Sequence, residues 1–199
     1  MAKLEWGSDD MAIFFTADTH FFHRRIVDYC DRPFRTLDGH PDVKAMNEAL
    51  IEQWNAAVRP QDVVYHLGDF GFGSPDKLHE VRRVLNGKMI LIRGNHDHKI
   101  DKWILANDEV HKSLMVGKVW LAHVPPINEV PKNNYGLKFE EVPGEAHMLV
   151  CGHVHNLWDY RVYAAHGQAR AIANVGVDIY KYKPIPMESI PGLEECWKG

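Results

Sequence analysis

The sequence predicts an α/β fold in which two β-sheets form a sandwich with helices on the outside. Three apolar runs, each ending in polar residues, alternate with two amphipathic stretches, and this β-α-β-α-β order is typical of a largely parallel sheet. Closely spaced strand-like runs follow and predict a second, mixed sheet. The chain has 199 residues and no linker-like tract, so we expect a single domain over residues 1–199.

The strands of the first sheet are expected at residues 11–18 (MAIFFTAD), 62–69 (DVVYHLGD) and 88–95 (KMILIRGN). Each is a short apolar run that ends in polar residues, which is the pattern of a buried strand. Active residues on such sheets gather at the carboxyl ends of the strands. The polar ends of the three runs are therefore the first place to look for a functional site.

Two helices are predicted between these strands. The first has apolar residues at steps of three or four, namely Val43, Met46, Leu50, Trp54 and Val58. The second has Ser74 as its N-cap, Pro75 at its first helical position and Gly87 after its end. Its apolar stripe consists of Leu78, Val81 and Leu85. Arg82 and Arg83 fall on the polar side of that stripe, so we expect both to be solvated.

The second sheet is predicted from runs at residues 117–124, 146–155 and 169–177 and from YRVYAA near Tyr160. Residues 125–145 lie between two of these runs and are rich in proline, glycine and charge. We expect them to form an exposed loop at the rim of a substrate cleft.

Composition excludes several classes of protein. Hydrophobic residues make up 45% and charged residues 25% of the chain, and no apolar run is long enough for a membrane span. A net charge of -4 provides no basic surface for long duplex nucleic acid. The three cysteines form no CxxC pair, so free thiols are expected. The N-terminus lacks an apolar signal core, which favours a cytoplasmic location.

Polar side chains that suit metal binding follow nearly every predicted strand. They are Asp18, His20, Asp69, Asn95, His96, His123, His153 and His155. Carboxylate, imidazole and carboxamide groups without thiolate favour Mn, Fe, Zn or Ni over Ca or a structural zinc. Even seven of these eight side chains as ligands would exceed what one ion takes while keeping a position for substrate, so two divalent metal ions are expected.

The blocks D-x-H, G-D, G-N-H-D, H and G-H-x-H occur in that order and closely resemble those of the calcineurin-like metallophosphoesterases. The resemblance runs from Asp18 to about Asn174. FTADTHFFH, YHLGDF and NVGVD look like a small bacterial and phage branch of that superfamily. The resemblance implies a four-layer αββα arrangement and a dinuclear metal centre.

It also implies a role for each matching residue. One metal ion would be held by Asp18, His20 and His155, and the other by Asn95, His123 and His153. Asp69 would bridge the two ions. His96 would stabilise the phosphoryl transition state and protonate the leaving alkoxide, while a metal-bridging hydroxide attacks phosphorus. Asp97 would orient His96 or a ligand and so belongs with His96 in the catalytic set.

Substrate contacts are expected close to these blocks. His23, Arg24 and Arg25 follow the first block and are candidates to bind the substrate phosphate, together with Asn95. Trp158, close behind His155, is the tryptophan best placed to stack a nucleobase, although packing is the more common role of such a side chain.

The first functional hypothesis is a phosphodiesterase that acts on a small nucleotide or a nucleic-acid end. The alternative is a phosphomonoesterase that acts on a nucleotide or a phosphoprotein. A non-catalytic metal-binding scaffold is the third hypothesis, and it fits poorly because neither a ligand nor the catalytic imidazole is missing. No membrane partner is expected, and the oligomeric state stays open.

Overall fold

A computed structural model describes residues 11–126 and 141–198. It contains two five-stranded sheets. The first sheet has the order β10-β1-β2-β3-β4, in which β1 to β4 are parallel and β10 is antiparallel to β1. Its strands are β1 Ile13–Thr16, β2 Val63–His66, β3 Lys88–Ile92, β4 Glu109–His111 and β10 Ile185–Pro186.

The second sheet has the order β5-β6-β7-β9-β8. Its three central strands are parallel, and each outer strand is antiparallel to its neighbour. The strands are β5 Ser113–Val116, β6 Val119–Ala122, β7 Met148–Cys151, β8 Tyr160–Ala165 and β9 Gln168–Asn174. This sheet is mixed, as predicted.

The helices are α1 Ile26–Tyr29, α2 Val43–Ala57, α3 Pro75–Val84 and α4 Leu193–Lys198, with short 3-10 turns at Ile100–Lys102 and Met187–Ser189. Helix α2 begins where the side chain of Asp42 accepts a hydrogen bond from the Ala45 amide, and α3 begins where Ser74 accepts one from Lys77. These caps satisfy amide groups that have no partner inside a helix. Within the described residues, no helix has the length and apolarity needed to cross a membrane.

The register of the first sheet separates its two faces. Phe14 pairs with Val64, which pairs with Met89, and this row packs under α2 and α3. The next row begins with Phe15 and Tyr65 and packs against the second sheet. Because side chains alternate along a strand, one short run supplies both cores. Full burial of each such side chain contributes about 1.5–3 kcal/mol.

The two sheets therefore pack face to face, with α2 and α3 on the outer side of the first sheet, and the predicted α/β sandwich is confirmed. In the described residues, the outer face of the second sheet packs against Val142 and Ala146. Strands β4, β5 and β10 were not predicted from the sequence. Of the predicted loop at 125–145, residues 127–140 lie outside the described residues.

Candidate metal centre

The predicted ligand side chains meet at the carboxyl ends of five strands. Asp18 and His20 follow β1, Asp69 follows β2, Asn95 follows β3, His123 follows β6, and His153 and His155 follow β7. Parallel strands bring their carboxyl ends to the same edge of a sheet, and the face-to-face packing of the sheets joins the two edges. The structure thus brings all seven together.

The first group consists of Asp18, His20 and His155, which each offer one ligand atom within 4.8 Å of the other two. Both ring nitrogens of His20 are buried and have no hydrogen-bond partner among the described residues. Buried polar atoms are normally paired, because an unpaired one loses its hydration without compensation. A metal ion would satisfy the buried imidazole, so this group fits a cation.

The second group consists of Asp69, His123 and His153, again with ligand atoms within 4.8 Å of one another. The side-chain oxygen of Asn95 joins it, at 3.1 Å from both His123 Nε2 and His153 Nδ1. Carboxylate, amide oxygen and imidazole are the ligand types that borderline divalent ions accept.

The tautomer of His123 indicates that a positive charge would be stabilised among the ligand atoms of the second group. Its Nδ1 lies 2.6 Å from the carbonyl oxygen of Leu67, which only accepts, so Nδ1 must donate. In the neutral ring, Nε2 then presents a lone pair to the oxygens of Asn95 and Asp69. Burial disfavours the charged imidazole, yet the Asp69 carboxylate, together with Asp18 and the hydrogen bond to Leu67, outweighs burial and raises the pKa of His123 to about 9.

Asp69, a member of the second group, also borders the first. Its Oδ2 is 3.7 Å from His20 Nε2 and 3.4 Å from His123 Nε2, while its Oδ1 accepts a hydrogen bond from the His96 amide. Burial alone would raise the pKa of Asp69, but the imidazole of His123, together with those of His20 and His96, holds that pKa well below its usual range. An ionised carboxylate in this position is suited to bridging two cations.

Five of the seven side chains project from strained backbone. The positive φ angles are 57° at Asp18, 49° at His20, 57° at Asp69, 69° at His153 and 48° at His155. For residues other than glycine this region costs about 1–3 kcal/mol each and is typical of functional sites. The surrounding fold therefore imposes the directions of these side chains.

Asp97 fixes the loops that carry two of the candidate ligands, Asp69 and Asn95. Its carboxylate accepts hydrogen bonds from the backbone amides of Asp69, Phe70 and Gly94, each at 2.8 Å. Of the two roles expected for Asp97, these contacts match the orientation of a ligand, Asp69, through the backbone. Asp97 is thus placed as a positioning residue.

His96 lies beside both groups at the wall of a cavity. Its Nε2 is 3.9 Å from Asp69 Oδ2, and its side chain is 25% exposed. Burial is the main reason why the pKa of His96 lies below the ordinary value, and the Asp69 carboxylate opposes this effect. The ring is therefore accessible to a ligand bound at the centre.

The cavity has a volume of about 610 Å³ and is lined in part by His23, Arg25 and Asn95. Arg24 is exposed and lies outside the lining, so of the two arginines expected to bind the substrate phosphate the structure brings Arg25 to the cavity and leaves Arg24 outside it. Trp158 also lies outside the lining. It packs against the outer face of the second sheet, with the Arg161 guanidinium 5.9 Å from its ring centroid.

Sequence reasoning missed the buried pair of Arg32 and Asp178. Asp178 Oδ2 lies 3.2 Å from His155 Nδ1, which leaves Nε2 of that ring for a metal ion. The side chain of Asn174 binds the carbonyl oxygen of His155 and so supports the same loop. Asp178 follows β9 closely and could have been found by the strand-end argument, whereas Arg32 follows a short helix and carries no such signal.

Comparison with known proteins agrees with this geometry. Residues 11–177 match the family model of the calcineurin-like phosphoesterase superfamily domain. An uncharacterized protein of Methanocaldococcus jannaschii is 31% identical over 188 residues, which cover 94% of this chain and 93% of that protein. The Gene 66 protein of Mycobacterium phage L5 is 30% identical over 129 residues, which cover 61% of this chain and 55% of that protein.

A solved structure shows the same fold. The crystal structure of a protein of unknown function from Aquifex aeolicus superposes with a TM-score of 0.64 and 23% identity, covering 90% of this chain and 97% of that one.

Proposed function

The chain belongs to the calcineurin-like phosphoesterase superfamily, and on this premise we propose that it hydrolyses phosphodiesters of small nucleotides or nucleic-acid ends at a centre of two divalent metal ions. Membership of the family supports a metal-dependent phosphoesterase in general. The finer assignment to diesters rests on the charge and shape of the cavity.

One observation carries the proposal. Asp69 belongs to the second group of candidate ligands and also borders the first, because its Oδ2 is 3.4 Å from His123 in its own group and 3.7 Å from His20 in the other. Two groups of ligand atoms that share one carboxylate suit a pair of closely spaced metal ions, which is the kind of site that two-metal phosphoesterases use.

Divalent ions in this centre would polarise the phosphoryl oxygens, lower the pKa of bound water and stabilise the attacking and leaving oxygens. The protein contributes orientation and proton transfer. Asp97 holds the Asp69 loop through backbone amides, and Asp178 fixes the ring of His155. His96 faces the cavity, where its imidazole hydrogen-bonds the phosphoryl group and delivers a proton to the leaving alkoxide.

The lining of the cavity favours diesters over monoesters. The described lining residues include one arginine, Arg25, and no lysine. A phosphodiester carries one negative charge, whereas a monoester carries nearly two at neutral pH, because its second pKa is about 6. Two metal ions at the centre would bind the phosphoryl oxygens of either ester, so the wall beside the centre has to distinguish the two. Its one fixed cation offers little to the second charge of a monoester, and a volume of about 610 Å³ leaves room for the two ester groups of a diester.

The test is the hydrolysis of bis-p-nitrophenyl phosphate and p-nitrophenyl phosphate by chelator-stripped protein after separate addition of Mn, Ni, Zn, Fe and Mg. We expect at least one metal to restore cleavage, with the diester preferred. Asp69→Asn should abolish turnover, whereas Asp38→Asn, at an exposed position, should retain it.

Preference for the monoester would instead favour a phosphomonoesterase. Absence of turnover with either ester, in protein that binds two ions, would contradict the proposal and indicate a scaffold.

A further inference from the structure

Exposed apolar side chains are concentrated at the cavity. Of the seven large hydrophobic side chains that are exposed among the described residues, three line it: Tyr29 at 67% exposure, Leu157 at 60% and Phe72 at 44%. An exposed apolar surface next to a polar site is typical of a surface that a ligand or a partner covers. Here the surface is continuous with the candidate metal centre.

Phe72 connects this surface to the centre. Its ring centroid lies 4.5 Å from that of His96 and 5.7 Å from that of His20. His23 extends the same wall, with its ring 4.1 Å from Phe72 and 6.3 Å from Tyr29. A group attached to a phosphate at the centre would therefore meet aromatic rings first.

The size of the cavity exceeds what a phosphoryl group needs. A volume of about 610 Å³ is within the range of about 300–1,000 Å³ found for sites that enclose drug-sized ligands. Rings favour planar aromatic groups, because these stack with offset or edge contacts. The hydroxyl groups of a bare sugar would find no hydrogen-bond partner on the side chains of Phe72 and Leu157, so a nucleobase fits this part of the wall better.

We propose that Phe72, with Tyr29 and Leu157, forms a subsite that binds the nucleobase of the substrate while its phosphate lies at the metal centre. This inference rests on the proposed function, because it places the phosphate at that centre. Phe72 is then a specificity-determining residue, and substrates with a base are preferred over sugar phosphates.

The test is isothermal titration calorimetry of the Mn-loaded protein with AMP and with ribose 5-phosphate, in which a hydroxyl group takes the place of the base. We expect AMP to bind about tenfold more tightly than ribose 5-phosphate, because stacking of one base on an aromatic side chain provides a gain in affinity of about this size. Phe72→Ala should remove most of this preference and leave the affinity for ribose 5-phosphate unchanged. Val162→Ala, an exposed apolar position outside the cavity lining, is the control and should change neither affinity.

Equal affinities of the wild type for AMP and ribose 5-phosphate would overturn the subsite. An equal loss of both affinities in Phe72→Ala would also overturn it, because that result indicates a general effect on the centre.

Hydrolysis of bis-p-nitrophenyl phosphate by the same preparations separates the two proposals. Turnover without a preference for AMP would refute the subsite alone. Preference for AMP without turnover under any metal would support the subsite and refute the proposed phosphoesterase activity.

Discussion

Arg32 and Asp178 form a buried two-point ion pair, with Nε to Oδ1 at 2.7 Å and Nη2 to Oδ2 at 3.0 Å. The same guanidinium donates to the carbonyl oxygens of Asp18 and Thr19. Asp178 in turn contacts Nδ1 of His155. Arg32 contacts the loop after β1, and its partner Asp178 contacts the loop after β7. This pair, whose members are 146 residues apart, therefore links the two loops.

Replacement of Arg32 by Met should strongly destabilise the protein, because it leaves the Asp178 carboxylate buried without its partner. Removing one member of such a pair costs about 3–5 kcal/mol of the free energy of unfolding. The control is Arg35→Met, which breaks the exposed pair with Asp28 and should cost about 0–1 kcal/mol. Urea unfolding measures both, and equal losses would show that the Arg32 pair has no special role.

Replacement of His96 by Ala should lower kcat for bis-p-nitrophenyl phosphate by about 10²–10⁴-fold, the usual contribution of a proton-transferring side chain. The variant should still bind two metal ions, since this ring is not among the expected ligands. His98→Ala, two residues along and exposed, serves as the control and should keep wild-type turnover. Full activity in His96→Ala would refute the assigned role.

Replacement of Gly94 by Ala should damage the metal centre, because the new Cβ would collide with Asp69 Oδ1 and the Asp69 backbone nitrogen. We expect Mn affinity to fall by about 10–100-fold, as when groups that orient ligands are removed. Gly144→Ala has open space around its Cβ and should bind Mn normally. Calorimetric titration with Mn gives both affinities, and matching values would contradict the tight packing at Gly94.

The free energy of unfolding should depend on pH through Asp62. Burial would raise the pKa of this carboxyl, but hydrogen bonds from the Arg59 side chain and from the Ala12 and Arg59 amides lower it below its usual value. The stabilisation is therefore complete above the unfolded pKa of about 3.9 and is lost as pH falls through the folded pKa.

Asp62→Asn should cost about 1–3 kcal/mol of the free energy of unfolding at pH 7, and this difference should narrow below about pH 4. Urea unfolding at pH 7, 5, 4 and 3 measures it, with Asp38→Asn as an exposed control. A constant difference over that range would show that the charge of Asp62 contributes nothing.

The sequence predicted the elements whose patterns are local. Helix α2 follows from the spacing of Met46, Leu50 and Trp54, all buried in the structure, and α3 begins at the expected Ser74 cap. Strands β4 and β10 have three and two residues, which is too short for an alternating pattern to appear.

Arg82 shows where local patterns fail. It was expected to be solvated, but it is 1% exposed and pairs with Asp108, with Nη2 to Oδ1 at 2.7 Å. The prediction was wrong because helical periodicity contains no information about a partner 26 residues along the chain. The pairing of Arg32 with Asp178 was not predicted either, because the two residues are 146 positions apart and no local pattern links them. By contrast, the candidate ligands could be predicted, because each of them closely follows an apolar run that predicts a strand.

The most direct test of the central claim is a crystal structure of the protein with Mn, with the ions located by anomalous scattering. We predict two peaks about 3.5–4 Å apart, one within reach of Asp18, His20 and His155 and the other within reach of Asn95, His123 and His153, with Asp69 touching both. A single peak, or two peaks of which one does not touch Asp69, would contradict the two-metal account.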